Sequence, residues 1–211
     1  MMLTPLEPWI ARKIRADALT REALAAYQLA ALNETLAWAR ARSRFYRGRL
    51  PGTALASLDE LAALPFTTAD DIRAHPLRFV CVSQGEITRV VTLDTSGTTG
   101  APKRLYFTAE DQELTVDFFQ VGMSTFTRPG DRVLILLPCA RAGSVGDLLA
   151  QALARMGAEG IRHGPVRDVA ATLDVMARSQ ARGLVGIPSQ VLALARAPAQ
   201  PEALVLRFAL L

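Results

Sequence analysis

The 211-residue sequence predicts an α/β fold: a helical lead-in, then alternating strands and helices that form a parallel or mixed sheet. Three observations predict it. Leu24, Tyr27, Ala31, Leu32 and Leu36 recur at helical spacing near the N-terminus. From Arg132 onward, short apolar runs alternate with helical stretches, the pattern of strands joined by helical crossovers. Val133–Leu137 and Ala203–Leu206 are apolar at every position, as parallel strands covered on both faces must be. Residues 1–80 read as the lead-in and residues 81–211 as an α/β subdomain.

Taken in order, residues 6–16 predict a weak helix. Thr20 caps a longer one that runs to about Tyr46, before Pro51-Gly52 breaks it. Ser57-Leu58-Asp59-Glu60 has the form of a capping box for a short helix through Leu64. Thr68-Ala69-Asp70-Asp71 repeats that form, and its helix must stop before Pro76. Thr88–Leu93 and Arg104–Thr108 read as strands by their β-branched and aromatic content. Thr108 starts a helix whose apolar face is expected at Leu114, Phe118 and Val121. Strand Arg132–Leu137, helix Ser144–Met156 with Gly157 as its cap, and a short strand at Ile161-Arg162 follow. Helix Asp168–Ser179, strand Gly183–Ile187, helix Ser189–Ala197 and strand Ala203–Leu211 complete the chain.

Composition excludes several functions. No run of about 18 uncharged apolar residues exists, so no membrane span is expected. The N-terminus has neither the basic start nor the apolar core of a signal peptide. Cys81 and Cys139 stand alone and read as buried thiols in a reducing cytoplasm. The net charge is +4, and Arg40, Arg42, Arg44, Arg47 and Arg49 carry much of the excess. Placed in the last turns of the long helix, they offset its negative dipole end. No aromatic stacking platform accompanies them, so no nucleic-acid partner is expected.

The stretch with chemistry in it is Thr95-Ser96-Gly97-Thr98-Thr99-Gly100-Ala101-Pro102-Lys103, set between the two strands. Glycines let consecutive amides turn towards an anion, hydroxyls add short donors, and a lysine supplies a point charge. Of 24 basic residues only Lys13 and Lys103 are lysines. A Ser/Thr/Gly-rich hairpin turn with a solvated lysine is the plainer alternative. A Walker A loop is excluded, because Gly97 and Gly100 are too close and no glycine precedes Lys103. The dinucleotide pattern Gly-x-Gly-x-x-Gly is absent as well.

Through all nine residues this stretch resembles the phosphate loop of the adenylate-forming superfamily of AMP-dependent synthetases and ligases. Tyr46-Arg47, Leu64-Pro65-Phe66-Thr67-Thr68 and Asp71-Ile72-Arg73 look like the lead-in of its phenylacetate-CoA ligase branch. The resemblance implies part of the large N-terminal domain of an acyl-CoA synthetase-like fold, with a C-terminal domain not represented. It implies a small carboxylic acid, ATP with Mg2+, and coenzyme A. The acid attacks the α-phosphate, pyrophosphate leaves, and a thiol takes the acyl group. Thr95, Ser96, Gly97, Thr98, Thr99, Gly100 and Lys103 would then bind the ATP phosphates. No residue of this chain is expected as a protein nucleophile or a metal ligand. The adenine-stacking motif, the ribose aspartate, the magnesium glutamate and the catalytic lysine of the family have no counterpart here, so the chain alone is expected to be inactive.

A second candidate site follows the strong strand, at Pro138, Gly143 and Ser144; an equivalent one lies at Pro188 and Ser189 after the next long strand. Ligands gather at the carboxyl ends of strands in open parallel sheets. In the family the first of these connections borders the acyl pocket; plain βα turns, with Ser189 a helix cap, are the alternative. His75 and His163 are isolated and lack metal-ligand spacing. Gly143-Ser144-Val145-Gly146 misses the nucleophile elbow by one residue. Three other readings remain: an acyl-protein synthetase or an adenylyltransferase of the same superfamily, or a truncated, non-catalytic nucleotide-binding module. Apolar residues run to Leu211, which predicts either a covered strand, a longer protein, or an open edge where two copies pair as a homodimer.

Overall fold

The computed structural model describes residues 4–93, 102–197 and 206–211. They form two compact units, one of Glu7–Asp111 and one of Gln112–Leu211 with the residues up to Leu6.

In the first unit, α1 (Leu6–Lys13) is followed by α2 (Arg21–Arg42). Thr20 caps α2 by accepting the Ala23 amide at 3.1 Å. The helix stops four residues earlier than its periodicity suggests. Ser43 turns extended and is fully buried, and its hydroxyl donates to the Arg78 carbonyl at 2.8 Å. That turn packs Phe45 flat on Phe79, centroids 4.0 Å apart, with Tyr46 edge-on to both. The arginine cluster is correspondingly dispersed. Only Arg40 and Arg42 lie in the last turn, while Arg42 covers the Trp38 ring and Arg49 the Phe45 ring.

The first expected capping box does not form. Ser57 makes no side-chain cap bond, the segment Leu58–Ala63 winds as a tighter 3-10 turn, and Glu60 takes the Ala56 amide instead. The second does form, at the start of α3 (Ala69–Ala74): Asp71 accepts the Thr68 amide at 2.9 Å and Thr68 accepts the Asp71 amide at 3.1 Å. β1 (Ile87–Leu93) and β2 (Lys103–Thr108) then pair antiparallel, from Leu93 opposite Lys103 to Ile87 opposite Thr108, with a bulge between Ile87 and Arg89. Thr108 and Asp111 build a further box that opens α4 (Ala109–Met123).

The second unit contains most of α4, then β3 (Arg132–Ile135), α5 (Val145–Arg155), β4 (Glu159–Arg162), α6 (Val169–Ser179), β5 (Gly183–Val185), α7 (Pro188–Arg196) and β6 (Phe208–Leu210). The four strands are parallel in the order β4-β3-β5-β6. Val133, Leu134, Ile135 and Leu136 are completely buried, which fits a central strand with helices on both faces. Leu149, Ala150 and Leu153 of α5 pack on Val133 and Ile135. Met176 of α6 and Leu194 of α7 pack on Leu134, Leu136 and Leu184.

The expected apolar face of α4 is not the one that packs. Val116 and Met123 are buried, with Val116 against Leu148 and Ala152 of α5, whereas Leu114 and Phe118 are more than half exposed. The helix carries two apolar stripes, and the periodicity of one stripe does not say which the neighbour covers. Of the expected last strand, Ala203–Val205 lie outside the described residues; among the described ones, Phe208–Leu210 pair with β5.

Two outcomes test this account. Leu134→Ala deletes buried methyl groups that the rigid strand cannot replace and should cost about 2–5 kcal/mol in chemical denaturation. The backbone and side-chain bonds from Thr68 hold the Asp71 carboxyl below its ordinary value of 3.8. The box therefore contributes above the unfolded-chain value and is lost as the pH falls through the lower folded one. An NMR titration of Asp71 should give that lowered value, and Thr68→Ala should return it towards 3.8.

Candidate functional site

The candidate phosphate-binding residues Thr95, Ser96, Gly97, Thr98, Thr99 and Gly100 lie outside the described residues. Their two anchors are described. Leu93 and Lys103 are paired across the hairpin, so the loop leaves and re-enters a fixed register. Lys103 is the first residue of β2 and is half-buried.

In the same unit, the hairpin and the helical segments enclose a cavity of about 1000 Å³ whose wall includes Tyr46, Thr67, Phe79, Cys81 and Tyr106. The Tyr46 hydroxyl and Thr67 Oγ1 are 2.8 Å apart in that wall. Burial pushes the Cys81 thiol up, against the opposing pull of the Arg42 charge. Sequence reading missed this cavity, because its residues are scattered from Trp38 to Asp111 and share no periodicity.

In the second unit, the structure brings the two candidate turns together. β3 and β5 are neighbours, so Pro138, Gly143 and Ser144 lie beside Pro188 and Ser189 at the carboxyl end of the sheet. The turn after β3 leads to α5 on one face, and the turn after β5 leads to α7 on the other. The chain thus departs in opposite directions from adjacent strands, the topology at which ligands of open parallel sheets bind. Pro138, Pro188 and Ser189 are exposed.

The turn after β3 is extensively bonded. The Gly146 amide donates to the Pro138 carbonyl at 2.9 Å, and the Ser144 hydroxyl to the Arg141 carbonyl at 2.6 Å. Ser144 is buried and occupies the cap position of α5 without a side-chain cap bond. Gly143 has φ +70°; its amide donates to Asp147 Oδ2 at 2.9 Å, and its carbonyl accepts from Gln112 Nε2 at 3.3 Å. Burial works to raise the Asp147 carboxyl, but the Gly143 amide, Arg162 and Gln151 outweigh it and hold the group below its ordinary range.

The turn after β5 is shorter. Ile187 occupies the cap position of α7 and Pro188 the first helical one, where its fixed φ fits. Ser189 is therefore inside the helix, not its cap. Gln190 accepts the Val166 amide at 2.8 Å and ties this helix start to the segment that follows β4.

The histidines serve local structure. His163 Nδ1 lies 3.0 Å from the Gly164 carbonyl and Nε2 lies 3.4 Å from Thr172 Oγ1, while His75 ends α3. Among the described residues no group of three or more His, Cys, Asp or Glu is placed to hold a metal ion, and no helix is long and apolar enough to cross a membrane.

The class defined by this architecture is the α/β fold of the N-terminal domain of acyl-CoA synthetase-like enzymes. The chain is similar to an open conformation of 2-hydroxyisobutyryl-CoA ligase in complex with 2-HIB-AMP and CoA, with a TM-score of 0.73 and 23% identity over 90% of this chain and 47% of that one. The same ligase in the postadenylation state with 2-HIB-AMP gives a TM-score of 0.75 at 21% identity, over 90% and 43% of the two chains. In its thioesterification state with 2-HIB-AMP and CoA, the score is 0.71 at 24% identity, over 84% and 40%. The chain spans less than half the length of these ligases. No protein-family model matches the chain. No curated protein matches it either.

One glycine lets α5 start close against the turn after β3. A Cβ on Gly146 would stand 2.9 Å from the carbonyl oxygens of Leu137 and Pro138, which are backbone and cannot swing aside. Gly146→Ala should lower stability by about 1–3 kcal/mol in denaturant titration.

Proposed function

We propose that this chain is the N-terminal portion of an AMP-forming carboxylate–CoA ligase of the adenylate-forming superfamily, in its phenylacetate-CoA ligase-like branch. The observation that carries the reading is the Thr95–Lys103 stretch, which follows Leu93 in sequence and ends on Lys103, the two residues of the closing pair of a β-hairpin. A hairpin of defined register is a good mount for a loop whose amides and hydroxyls must be set before the substrate arrives. The similarity in fold to a ligase solved with an acyl-adenylate and CoA supports it.

On this reading a small carboxylic acid attacks the α-phosphate of ATP. Ser96, Thr98 and Thr99 donate hydroxyls, Gly97 and Gly100 amides, and Lys103 a charge to the departing β- and γ-phosphates. Negative charge grows on the pyrophosphate as its bond to the α-phosphate breaks, so preset donors lower the barrier without any proton transfer. The crevice of Pro138, Gly143, Ser144, Pro188 and Ser189 receives the acyl group. Coenzyme A then takes the acyl group from the adenylate, and AMP leaves. Mg2+ accompanies the nucleotide; the described residues hold no carboxylate cluster suited to it, and no step is assigned to it.

Calorimetric titration tests the loop directly. ATP and pyrophosphate should both bind this chain, AMP far more weakly, and Lys103→Ala should weaken ATP by at least tenfold, about 1.4 kcal/mol. ATP binding that is indifferent to Lys103→Ala and to a Thr98→Ala/Thr99→Ala double change would sink the assignment.

A further inference from the structure

We propose that Asp147 is the positioning residue for the acid-binding crevice: acting through Gly143, it sets the shape of the wall that the turn after β3 presents. This rests on the reading of that crevice given above.

The argument begins with what holds Gly143. Its φ of +70° is a backbone state that side-chain-bearing residues rarely adopt. Both of its backbone polar groups are taken by side chains from elsewhere: the amide by Asp147 Oδ2 at 2.9 Å and the carbonyl by Gln112 Nε2 at 3.3 Å. A Cβ at this position would lie 2.2 Å from that same Gln112 nitrogen, so the glutamine fills the space a larger residue would need.

Asp147 is itself fixed from several sides. Oδ2 also accepts from Gln151 Nε2 at 2.9 Å, one turn along α5. Oδ1 accepts from Arg162 Nε at 3.2 Å and Nη2 at 3.0 Å, at the end of β4. One carboxylate therefore joins the turn, the first helical turn of α5 and the neighbouring strand. Its side chain is 15% exposed, so these charge-assisted bonds are poorly screened by water. The depressed titration of the group agrees with that geometry.

The consequence is local. Of the other bonds of the turn, the one from the Ser144 hydroxyl to Arg141 is local, and the one from the Gly146 amide to Pro138 joins it to the start of α5. The Asp147 and Gln112 contacts tie Gly143 to α5 and α4. Changing Asp147 should move the crevice wall while the sheet beneath, with Leu134 and Leu184 buried, stays in place. Acid recognition should change, and the phosphate chemistry of the hairpin loop should not.

Two measurements test it. In this chain, Asp147→Ala should raise amide exchange at Gly143 and Ser144 by at least tenfold. Asp147→Asn, which keeps an acceptor, should raise it less, and Leu134 and Leu184 should be unchanged in both. In the full-length polypeptide, AMP release should be measured with carboxylic acids of two to ten carbons. Asp147→Ala should raise KM for the preferred acid at least tenfold or reorder the series, with kcat and the KM for ATP within about threefold, and Asp147→Asn should recover part of the loss. Unchanged exchange at Gly143 overturns the proposal. So does a faster exchange that leaves the acid series untouched. Wild-type protein that releases AMP with no acid overturns the ligase reading instead, whatever the exchange shows.

Discussion

The structure of the second unit depends on one constraint, the complete removal of β3 from water. Val133, Leu134, Ile135 and Leu136 alternate between the two faces of the sheet, and all four are fully buried. A strand in that position needs partners on both edges and helices over both faces, because every polar backbone group must find a mate. β4 and β5 supply the edges in parallel register, and α5 covers one face while α6 and α7 cover the other. Parallel neighbours require crossovers, and crossovers to opposite faces leave a gap where they diverge. The divergence of the chain at Pro138 and Pro188 is therefore a product of how the core is covered.

The hairpin of the first unit obeys different physics. β1 and β2 are half-buried at best, and two strands alone are marginal in water. Their register is held by the closing pair Leu93–Lys103 at one end and by the Thr108–Asp111 box just past the other. The apolar core contributes little to that register, and hydrogen bonds carry it.

What the sequence discloses follows the range of each interaction. Thr20, Thr68 and Thr108 were readable as helix starts because a hydroxyl and an amide three residues away complete the bond. The apolar run at β3 was readable because only a covered parallel strand tolerates it, and the fold class follows from that run and the alternation after it. The early end of α2 was not, because Ser43 answers to the Arg78 carbonyl 35 residues on. The packed face of α4 was hidden by a second apolar stripe, and only the position of Leu148 and Ala152 on α5 decides between them. At the crevice, Gly143 and Ser144 could be picked out as a βα turn, but the groups that shape that turn come from α4, α5 and β4. Proximity of that kind leaves no spacing to read.

Charge is used differently at the two ends of the sheet. At the amino end, Asp131 is almost completely buried, bonded to the Arg128 amide and paired with Arg207. Removing Arg207 would leave the buried Asp131 carboxylate without its charged partner, so this pair ties the approach to β3 to the approach to β6. The Arg132–Glu159 pair on the same edge is open to solvent and adds little to stability. At the carboxyl end, the Arg162–Asp147 pair joins a half-exposed guanidinium to a largely covered carboxylate, and that carboxylate also holds a glycine amide in a turn. A pair built that way can be altered without exposing the core. The amino end fixes the sheet, and the carboxyl end leaves its turns free to differ in shape while the strands below them stay the same.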